Sequence, residues 1–348
     1  MVKKILVFNV GSSSIKFSLF DGTDKVETGN YERLKTSQDY EKAVKKILDK
    51  FKDIKIDAIA HRIVHGGELN KPTKITKKVK DTIKEFSVFA PLHNPKQLKV
   101  VEIIEKNSKK DQYAVFDTMF FANLPEVSKN YALPKTIVKE NNIRRYGFHG
   151  LSHKFVSQGL KGKIITCHLG SGSSISAIIN GKPIDTSMGL TPLEGLIMGT
   201  RSGNIDPGII LHLEKKGYNV NEILNEKSGL KGISGHNDFR DILSTMNKDK
   251  DSKLAYDMFI YQIVKIVGSY VAAMNGLNNL VFTAAIGENV AKLRKDVCAH
   301  FEFMGTKLNN KRNKKNEEVI SSIGSKVKVF VKRTNEEKMI VEEVLKII

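Results

Sequence analysis

The chain has 348 residues, 40% of them hydrophobic and 27% charged, a composition typical of folded globular proteins, and at this length one core usually divides into two domains. Its formal net charge is +19, but the lysines are spread along the chain, and the densest run, KLNNKRNKKNEE at 307–318, has no aromatic residue on which bases could stack. The charge therefore favours small anionic ligands and argues against a nucleic-acid partner.

Two strands joined by a Gly/Ser turn open the chain. The segment KKILVFNV passes through GSSS into IKFSLFDG, which predicts a hairpin with glycine and serine at its apex. Two helices are predicted downstream, YEKAVKKILDKF at 40–51 and PKQLKVVEIIEK at 95–106, because their apolar residues recur at three- and four-residue spacings.

The same design recurs in the middle of the chain. KIITCHL at 163–169 leads into GSGSS and returns as ISAIINGKPI, in which Asn180-Gly181 is a strong type I′ turn signal. The repeat predicts two related domains, each with a small phosphate-binding hairpin. Neither turn matches GxxxxGK(S/T) or leads into a helix, so a P-loop and a dinucleotide fingerprint are excluded.

The remaining elements alternate between helices and strands. A long helix is predicted over 252–274, and LVFTAAIGEN at 280–289 predicts a buried strand, a glycine turn and a helix that begins near Asn289. KVKVFVK at 326–332 predicts a strand, and the last helix begins with Thr334 and Glu337 spaced as a capping box. The alternation predicts an α/β protein.

The beginning of the chain and its cysteines favour a cytoplasmic protein. Two lysines lead directly into the first strand without the small-residue cleavage site of a signal peptide, and no apolar run approaches membrane-spanning length. The two cysteines, Cys167 and Cys298, are too few for a disulfide framework and lack metal-ligand spacing. We therefore expect a reducing compartment and no membrane partner.

Both Gly/Ser turns can surround phosphate oxygens with backbone amides and hydroxyl groups, because glycine lets the backbone approach closely. The first turn offers Gly11, three serines at 12–14 and Lys16, and the second spans Gly170 to Ser174. Arg62 in HRIVHGG and Arg201 in MGTRSGN are candidates for clamping a phosphoryl group, since guanidinium binds phosphate bidentately.

The histidines and acidic residues near these motifs have several possible roles. His149 and His153 have helical i, i+4 spacing, but no third zinc ligand is evident, which favours hydrogen bonding to a phosphoryl oxygen or to the backbone. Cys167 and His168 point to opposite faces of a strand and cannot form a catalytic pair; Cys167 is expected in the core, with His168 facing the hairpin turn. Asp117 could orient a reactant or hold metal-bound water.

Nine segments together resemble the acetate kinase family, in the order in which the family carries them: VFNVGSSSIKFSLF, HRIVHGG, PLHNP, VFDTMF, IRRYGFHGLSH, TCHLGSGSS, SMGLTPLEGLIMGTRSGNIDPG, FTAAIGEN and TNEE. The resemblance implies an α/β, two-domain, duplicated actin-like ATPase (ribonuclease H-like) fold with an active-site cleft between the domains. It places domain I at 1–121 plus 338–348 and domain II, with the nucleotide-binding segments, at 122–337.

The resemblance also assigns roles to individual residues. It implies a catalytic centre of Arg62, Asp117, His149 and Arg201. Arg62 and an apolar pocket would receive the substrate, the pocket being formed by Val64, Leu92, Phe148 and Pro192. Mg²⁺ or Mn²⁺ would be held by Asn9 and Glu336. The phosphate and nucleotide residues implied are Ser12, Ser14, Lys16, His93, His168, Gly170, Ser171, Gly172, Ala285, Gly287 and Asn289.

Three departures from the family pattern concern the donor site. Ser171 replaces the usual asparagine of the second hairpin, Asn204 replaces an aspartate, and Ala284-Ala285 replaces a glycine-containing pair. A methyl group at the adenosine strand could crowd a nucleotide, which leaves pyrophosphate open as the donor. The chain is also shorter than typical members, with apparent losses before HRIVHGG and between GLSH and HLGSG.

The function implied is a reversible, Mg²⁺-dependent acetate kinase that is cytoplasmic and homodimeric, with acetate and ATP or ADP as substrates. No general base is needed, because a carboxylate with a pKa of about 4 is already ionised at neutral pH. Propionate stays open as the acceptor, since one methylene group is worth only about 1 to 3 kcal/mol. A catalytically silent nucleotide-binding module is the alternative from a different class.

Overall fold

The computed structural model describes residues 2–11 and 13–348, so the predicted phosphate-site residue Ser12 lies outside the described residues. Within these ranges eleven strands form two sheets. Numbered β1 to β11 in chain order, the strands are Lys4–Val10, Ile15–Asp21, Asp24–Tyr31, Ala58–Ile63, Thr73–Lys74, Gln112–Phe116, Lys163–Leu169, Ser173–Ile179, Lys182–Thr186, Asn279–Thr283 and Lys328–Val331.

The α-helices of the same ranges are numbered α1 to α15 in chain order. They are Ser37–Lys50, Lys77–Glu85, Asn94–Asn107, Glu126–Lys129, Lys135–Glu140, Gly150–Ser157, Pro207–Lys215, Val220–Glu222, Gly229–Ser234, Phe239–Thr245, Lys250–Met274, Ala284–Asn289, Ala291–Ala299, Asn310–Lys314 and Glu336–Val344. Short 3₁₀ turns span Phe86–Val88, Asp117–Phe121 and Glu302–Met304, and a π-type turn spans Ile223–Lys227. The helices predicted over 40–51, 95–106 and 252–274 correspond to α1, α3 and α11.

Each sheet contains three antiparallel strands followed by two parallel ones, and in sheet 1 the short strand β5 is added antiparallel to β6. Sheet 1 has the order β3-β2-β1-β4-β6-β5, and sheet 2 has the order β11-β10-β7-β8-β9. In sheet 1 the strands β4 and β6 run parallel to β1, and in sheet 2 the strands β10 and β11 run parallel to β7. The duplication predicted from the two hairpins is therefore confirmed, as is the α/β class.

Contacts divide the chain into two units, each containing one sheet. Unit 1 comprises Met1–Asn123, Phe148–Phe155 and Asn335–Ile348, and unit 2 comprises Leu124–Gly147 and Val156–Thr334. The segments 148–155 and 335–337, which the predicted domain II included, make their contacts within unit 1. The domain boundaries expected from the resemblance stay a prediction.

Strand β1 is buried on both faces, which explains its nearly continuous apolar sequence. Successive side chains of a strand point to opposite faces. Ile5 and Val7 pack in one core with residues of α15, and Leu6 and Phe8 pack in another with residues of α1 and α3. Covering both faces fixes the position of β1 and hence of Asn9 near its carboxyl end.

The neighbouring strand β4 buries a histidine whose titration should make stability depend on pH. His61 Nε2 lies 2.7 Å from Gln112 Oε1, and its ring stacks on Phe8. Burial lowers the pKa of His61 to about 4, although the hydrogen bond to Gln112 opposes the shift. Because the unfolded chain binds this proton below its ordinary pKa near 6.5, the stabilisation is present above that pH and is lost as the pH falls towards 4.

We expect the wild-type protein to lose about 2 kcal/mol more unfolding free energy between pH 7 and pH 5 than His61→Gln, which has no titrating group at this position. Urea unfolding of both proteins at the two pH values measures the difference. Parallel losses in the two proteins would show that His61 is protonated equally in the folded and unfolded states.

In unit 2 the sheet packs against α11, the longest helix. Its residues Ala255, Phe259 and Ile263 lie in one core with Ile165 and Cys167 of β7. By length and composition alone α11 could cross a membrane, but the core helix of a soluble protein meets the same criterion. The buried stripe along α11 is that of a helix packed on a sheet.

The segment AAIGEN differs from its prediction. A glycine turn was expected after strand 280–283, but residues 284–289 form the short helix α12, and the next helix begins at Ala291. Glu288 explains the early start, because its Oε1 accepts a hydrogen bond from the amide of Ala284 at 2.9 Å. Gly287 lies inside α12, where a side chain would approach Phe282 and the Cys167 carbonyl.

Ala284 has a backbone φ of +63°, in the left-handed region that favours glycine. We expect Ala284→Gly to raise the free energy of unfolding by about 1 kcal/mol, because the strain on the alanine Cβ is removed. Ala285→Gly is the matched control. It replaces a residue inside α12 and should destabilise the protein by about 0.5 to 1 kcal/mol. Urea midpoints measure both; a loss in both variants would contradict the strain at Ala284.

The capping box predicted at the last helix is wrong. Asn335 occupies the N-cap of α15 and accepts a hydrogen bond from the amide of Lys338 at 3.0 Å. The Thr334 hydroxyl is buried and has no hydrogen-bond partner among the described residues. Glu337 turns instead towards β2 and β3, because two lysines there attract its carboxylate. The helix therefore begins one residue later than the box requires.

Candidate active site

Residues from distant parts of the sequence meet at one edge of sheet 1. Asn9 lies near the carboxyl end of β1, Arg62 lies near the end of β4, and Asp117 directly follows β6. These three strands are parallel, so their carboxyl ends lie at the same edge, where α/β proteins bind ligands. Glu336, the first residue of α15, completes a group that we call the arginine cluster.

Arg62 connects all members of the cluster. Its Nε donates to Asp117 Oδ1 at 3.0 Å and its Nη2 donates to Asp117 Oδ2 at 2.7 Å, a bidentate pair. Its Nη1 donates to Asn9 Oδ1 at 3.3 Å and lies 3.1 Å from Glu336 Oε2. Four residues predicted for catalysis or metal binding are thus brought together.

The cluster holds its charges in a largely buried place. Burial disfavours the charged guanidinium, but the carboxylates of Asp117 and Glu336 outweigh it and raise the pKa of Arg62 above its ordinary value. One guanidinium faces two carboxylates, so the group has an excess of negative charge when both are ionised. A divalent cation or a further cationic group would balance that excess.

Gly150, the residue after His149, lies against the backbone of Asp117. His149 precedes α6, where the amide of His153 donates to its carbonyl, and it has a positive φ of +56°. A Cβ on Gly150 would lie 2.1 Å from the Asp117 carbonyl oxygen, so only glycine permits this approach. His153 is buried one turn later and packs edge-on against Phe121.

The residues predicted for the acyl pocket differ in exposure. Val64 and Phe148 are buried in unit 1, whereas the Leu92 side chain is 48% exposed. His65 lies beneath this region and stacks on Phe86 with its ring edge-on to Phe148. Pro192 belongs to unit 2 and is half-buried.

Two buried amide side chains that the sequence analysis missed hold the loop after β4. Asn94 Oδ1 accepts from the amide of His65 at 3.0 Å, and its Nδ2 donates to the His65 carbonyl at 2.9 Å. Gln97 Oε1 accepts from the amide of Val64 at 3.0 Å. The motif PLHNP indicated a helix start, since Pro95 lies in the first turn of α3 next to Asn94. His93 occupies the N-cap position of that helix.

The first Gly/Ser turn closes tightly on itself. The amide of Gly11 donates to the Ser14 carbonyl at 2.9 Å, and a Cβ on Gly11 would lie 2.9 Å from Ser14 Oγ. Glycine at this position therefore leaves room for the serine hydroxyl. Lys16 follows on β2 directly opposite Asn9 of β1, so it flanks the arginine cluster through the strand pairing.

Unit 2 contains a cavity of about 570 Å³ at the second Gly/Ser turn. Its size falls within the usual range for small-molecule sites, about 300 to 1,000 Å³. Four residues predicted for nucleotide binding line it: Gly170, Ser171, Ala285 and Asn289. The turn of the β7–β8 hairpin and the helix α12 therefore both contribute to the wall of this cavity.

Three other predicted nucleotide residues are not part of that lining among the described residues. Gly172 closes the hairpin turn, with its carbonyl accepting from the amide of Gly170 at 3.1 Å. Gly287 packs α12 against β7 and β10, and His168 is a buried residue of β7. Cys167 is buried as predicted, and burial raises the pKa of its thiol.

The sequence analysis missed the remaining cavity wall, which includes Asn237, Asp238, Phe239 and Arg240. Asp238 caps α10 by accepting from the amide of Arg240 at 2.9 Å, and it also binds the Arg240 guanidinium. These contacts lower the pKa of Asp238 to about 2. The aspartate signals a helix start, but nothing in the pattern indicates that this helix faces a cavity.

Arg201 lies in a tight loop of unit 2 and is largely buried. Its Nη1 donates to the Pro192 carbonyl at 3.3 Å, and burial lowers the pKa of its guanidinium. No carboxylate pairs with Arg201 among the described residues. Its positive charge is therefore available to a bound anion. Asn204 accepts from the amide of Gly195 at 2.8 Å, which gives this departure from the family pattern a role in closing the loop.

Arg145 fixes the loop that carries Pro192. Its Nη1 donates to the carbonyls of Thr186 and Met188 at 3.1 and 3.3 Å, and its Nη2 binds Glu194 Oε1 at 2.6 Å. The sequence analysis quoted Arg145 within a motif but gave it no role, because the acceptors in this loop lie more than forty residues downstream.

Comparisons with known proteins point to one family over the whole chain. A family model described as "Acetokinase family" matches residues 22–342. The acetate kinases of Carboxydothermus hydrogenoformans and Finegoldia magna are each 42% identical, and the alignments cover 99% of this chain and 99% of each relative. The first alignment spans 394 positions against 348 residues here, so the relative carries internal insertions that this chain lacks.

Comparison with solved structures supports the same family. The acetate kinase of Porphyromonas gingivalis is 40% identical with a TM-score of 0.90, and 99% of each chain is covered. A propionate kinase from Francisella tularensis subsp. tularensis SCHU S4 is 38% identical with a TM-score of 0.91, and 98% of each chain is covered. A ROK family protein from Streptococcus pneumoniae, 11% identical with a TM-score of 0.51, shares the fold alone.

Proposed function

Because this chain belongs to the acetokinase family, we propose that it is an acetate kinase that reversibly transfers the γ-phosphoryl group of ATP to acetate, giving acetyl phosphate and ADP. The observation that carries the proposal is the arginine cluster, in which Arg62 is held by Asp117, Asn9 and Glu336. This bidentate guanidinium–carboxylate pair lies at the carboxyl ends of parallel strands, where α/β proteins bind ligands.

The acceptor requires positioning more than proton transfer. A carboxylate oxygen of acetate attacks the γ-phosphorus, a new P–O bond forms, and the bond to the leaving oxygen of ADP breaks with its electron pair. Acetate is already ionised at neutral pH, so Asp117 has no proton to remove. Its bidentate bond to Arg62 supports a role in orienting that guanidinium towards the phosphoryl oxygens.

Arg62, Arg201 and His149 are the groups that we assign to stabilising charge in the transition state. Phosphoryl transfer depends mainly on positioning and on balancing the negative charge of the equatorial oxygens. Arg201 is desolvated and pairs with no carboxylate among the described residues, which supports an anionic ligand for it. Lys16, Ser14 and His93 are proposed to bind phosphate oxygens nearby, with Ser12 in the same turn.

ATP is favoured as the donor over pyrophosphate. The cavity of about 570 Å³ persists with Ala285 in its wall, so the methyl group leaves space for a nucleoside. Ser171, Asn289 and the missed segment 237–240 are proposed to contact the nucleotide there. Among acceptors, the buried Val64 and Phe148 suit a short acyl chain, and acetate is preferred in this proposal over propionate.

Asn9 and Glu336 are proposed to hold Mg²⁺, or Mn²⁺. Both offer oxygen atoms, the donors that Mg²⁺ prefers, and Mg²⁺ commonly uses only one or two protein carboxylates together with substrate phosphates. The described residues contain no cluster of three or more His, Cys, Asp or Glu that could hold a metal, so phosphate oxygens and water would complete the shell. When bound, the ion neutralises charge on the phosphate oxygens. A homodimer and a cytoplasmic location are proposed on the family resemblance.

Acyl phosphate formation, trapped as the hydroxamate, tests the proposal. Purified protein is assayed with acetate, propionate or butyrate, with ATP or pyrophosphate, and with Mg²⁺ or EDTA. ATP- and Mg²⁺-dependent turnover with acetate preferred is expected. Turnover with pyrophosphate alone would identify pyrophosphate as the phosphoryl donor, and a preference for propionate would identify propionate as the acceptor. ATP binding without any turnover would instead favour a catalytically silent module.

A further inference from the structure

A buried carboxylate next to the arginine cluster has no role in the proposed reaction. Glu337 is the second residue of α15, and its side chain is only 4% exposed. Its Oε1 lies 2.9 Å from Lys16 Nζ, and its Oε2 accepts from Ser18 Oγ at 2.9 Å and from Lys25 Nζ. One end of α15 thus contacts Arg62 through Glu336 and Lys16 through Glu337.

Lys16 by itself is poorly fixed. Its side chain is 52% exposed, and a lysine has four rotatable bonds whose ordering costs up to about 2 kcal/mol. Its strand position opposite Asn9 directs it to the edge of the arginine cluster, but pairing of the backbone does not orient the ammonium group. A buried carboxylate that forms an ion pair with it, at 2.9 Å between Lys16 Nζ and Glu337 Oε1, restricts this freedom before a substrate binds.

We propose that Glu337 is a positioning residue that holds the Lys16 ammonium group ready for the phosphate oxygens of the donor, a role that rests on the proposed function. Three contacts keep Glu337 itself in place. Ser18 and Lys25 bind its Oε2, and Lys16 lies next to its Oε1. Two lysine ammonium groups and a serine hydroxyl therefore surround this buried carboxylate.

Glu343, on the same helix, provides a matched control. It is 6% exposed and also joins two lysines, with Oε1 2.8 Å from Lys154 Nζ and in contact with Lys346. Neither lysine has a place in the proposed reaction. If buried Glu–Lys contacts on α15 only stabilise the fold, Glu337→Gln and Glu343→Gln should have the same consequences.

We expect Glu337→Gln to lower kcat about tenfold to a hundredfold, because a misplaced group near the reacting atoms can cost about a hundredfold, with the KM for acetate changed less than about twofold. Glu343→Gln should keep kcat within about twofold, with a similar shift in urea midpoint. Glu337→Asp should recover part of kcat. Equal losses in the two glutamine variants would overturn the proposal.

A double-mutant cycle with Lys16→Met separates positioning from structure. If Glu337 acts through Lys16, Glu337→Gln should cost less than about twofold once Lys16 is absent, whereas an independent structural role would give additive losses. The same cycle measured on ATP binding by calorimetry keeps the two proposals apart. Coupled binding without wild-type turnover would remove the reaction but keep the role of Glu337. Wild-type turnover with an additive cycle would remove only that role.

Discussion

Arg62→Ala is expected to lower kcat for acetyl phosphate formation by about a hundred- to a thousandfold, by analogy with other preorganised groups that stabilise charge in a transition state. In the structure Arg62 has three partners within unit 1 and little freedom to move. An alanine cannot replace its charge. The hydroxamate assay with saturating acetate and ATP measures kcat, and loss of rate without a matching rise in KM marks a contribution to the transition state.

The same substitution should also destabilise the protein. Asp117 has a side chain only 2% exposed, and Arg62→Ala removes its bidentate partner. Breaking a buried ion pair on one side typically costs about 3 to 5 kcal/mol, because a buried charge loses the partner that offsets its desolvation. We therefore expect a lower urea midpoint together with the loss of rate.

Arg201→Ala is the matched comparison for Arg62→Ala. Arg201 donates to a backbone carbonyl and pairs with no carboxylate in the described part of the chain, so its removal strands no buried charge. We expect a rate loss of the same order with a small change in urea midpoint. Equal destabilisation by both substitutions, or full activity in either, would contradict the roles assigned to the two arginines.

The sequence predicted elements best where a local pattern fixes the backbone. The two Gly/Ser hairpins are confirmed because alternating apolar residues and glycine specify strands and turns directly. Asn180 and Gly181 both have positive φ, as a type I′ turn requires. The helix at AAIGEN was missed because it is stabilised by a hydrogen bond from the amide of Ala284 to the Glu288 side chain. The glycine in this segment gives no indication of that bond.

Distant contacts explain what the sequence could not supply. Asp238 and Arg240 line the cavity of unit 2, but their local pattern describes only a capped helix. Glu337 fits a capping box by spacing, yet its partners Lys16 and Lys25 lie more than three hundred residues away. A charged pair across such a separation competes with the local cap and here replaces it. The arginine cluster was expected as separate motifs, and strand order brought them together.

Arg294 is the clearest example of a residue with no local signal and a large expected effect. Its side chain is fully buried in unit 2 and faces no carboxylate among the described residues. It donates to the carbonyls of Gly287 and Glu288 at 2.8 and 2.9 Å, and to Asn313 Oδ1 and the Asn313 carbonyl at 2.7 and 2.8 Å. Burial lowers the pKa of its guanidinium to about 10, so it stays charged at neutral pH. Arg294 thus ties the end of α12, beside the cavity, to α14.

Arg294→Met should lower the free energy of unfolding by about 3 to 5 kcal/mol, because several buried acceptors lose their donors at once and each unsatisfied group costs about 1 to 3 kcal/mol. The KM for ATP should rise more than the KM for acetate, since the carbonyls of Gly287 and Glu288 anchor the helix that carries Ala285 and Asn289 into the cavity wall. Lys295→Met, an exposed site on the same helix, should change stability by less than about 0.5 kcal/mol. A more stable Arg294→Met protein would mean that apolar packing replaces the buried charge without loss, as happens when some buried ion pairs are exchanged for hydrophobic residues, and that the oxygen atoms around Arg294 find other donors.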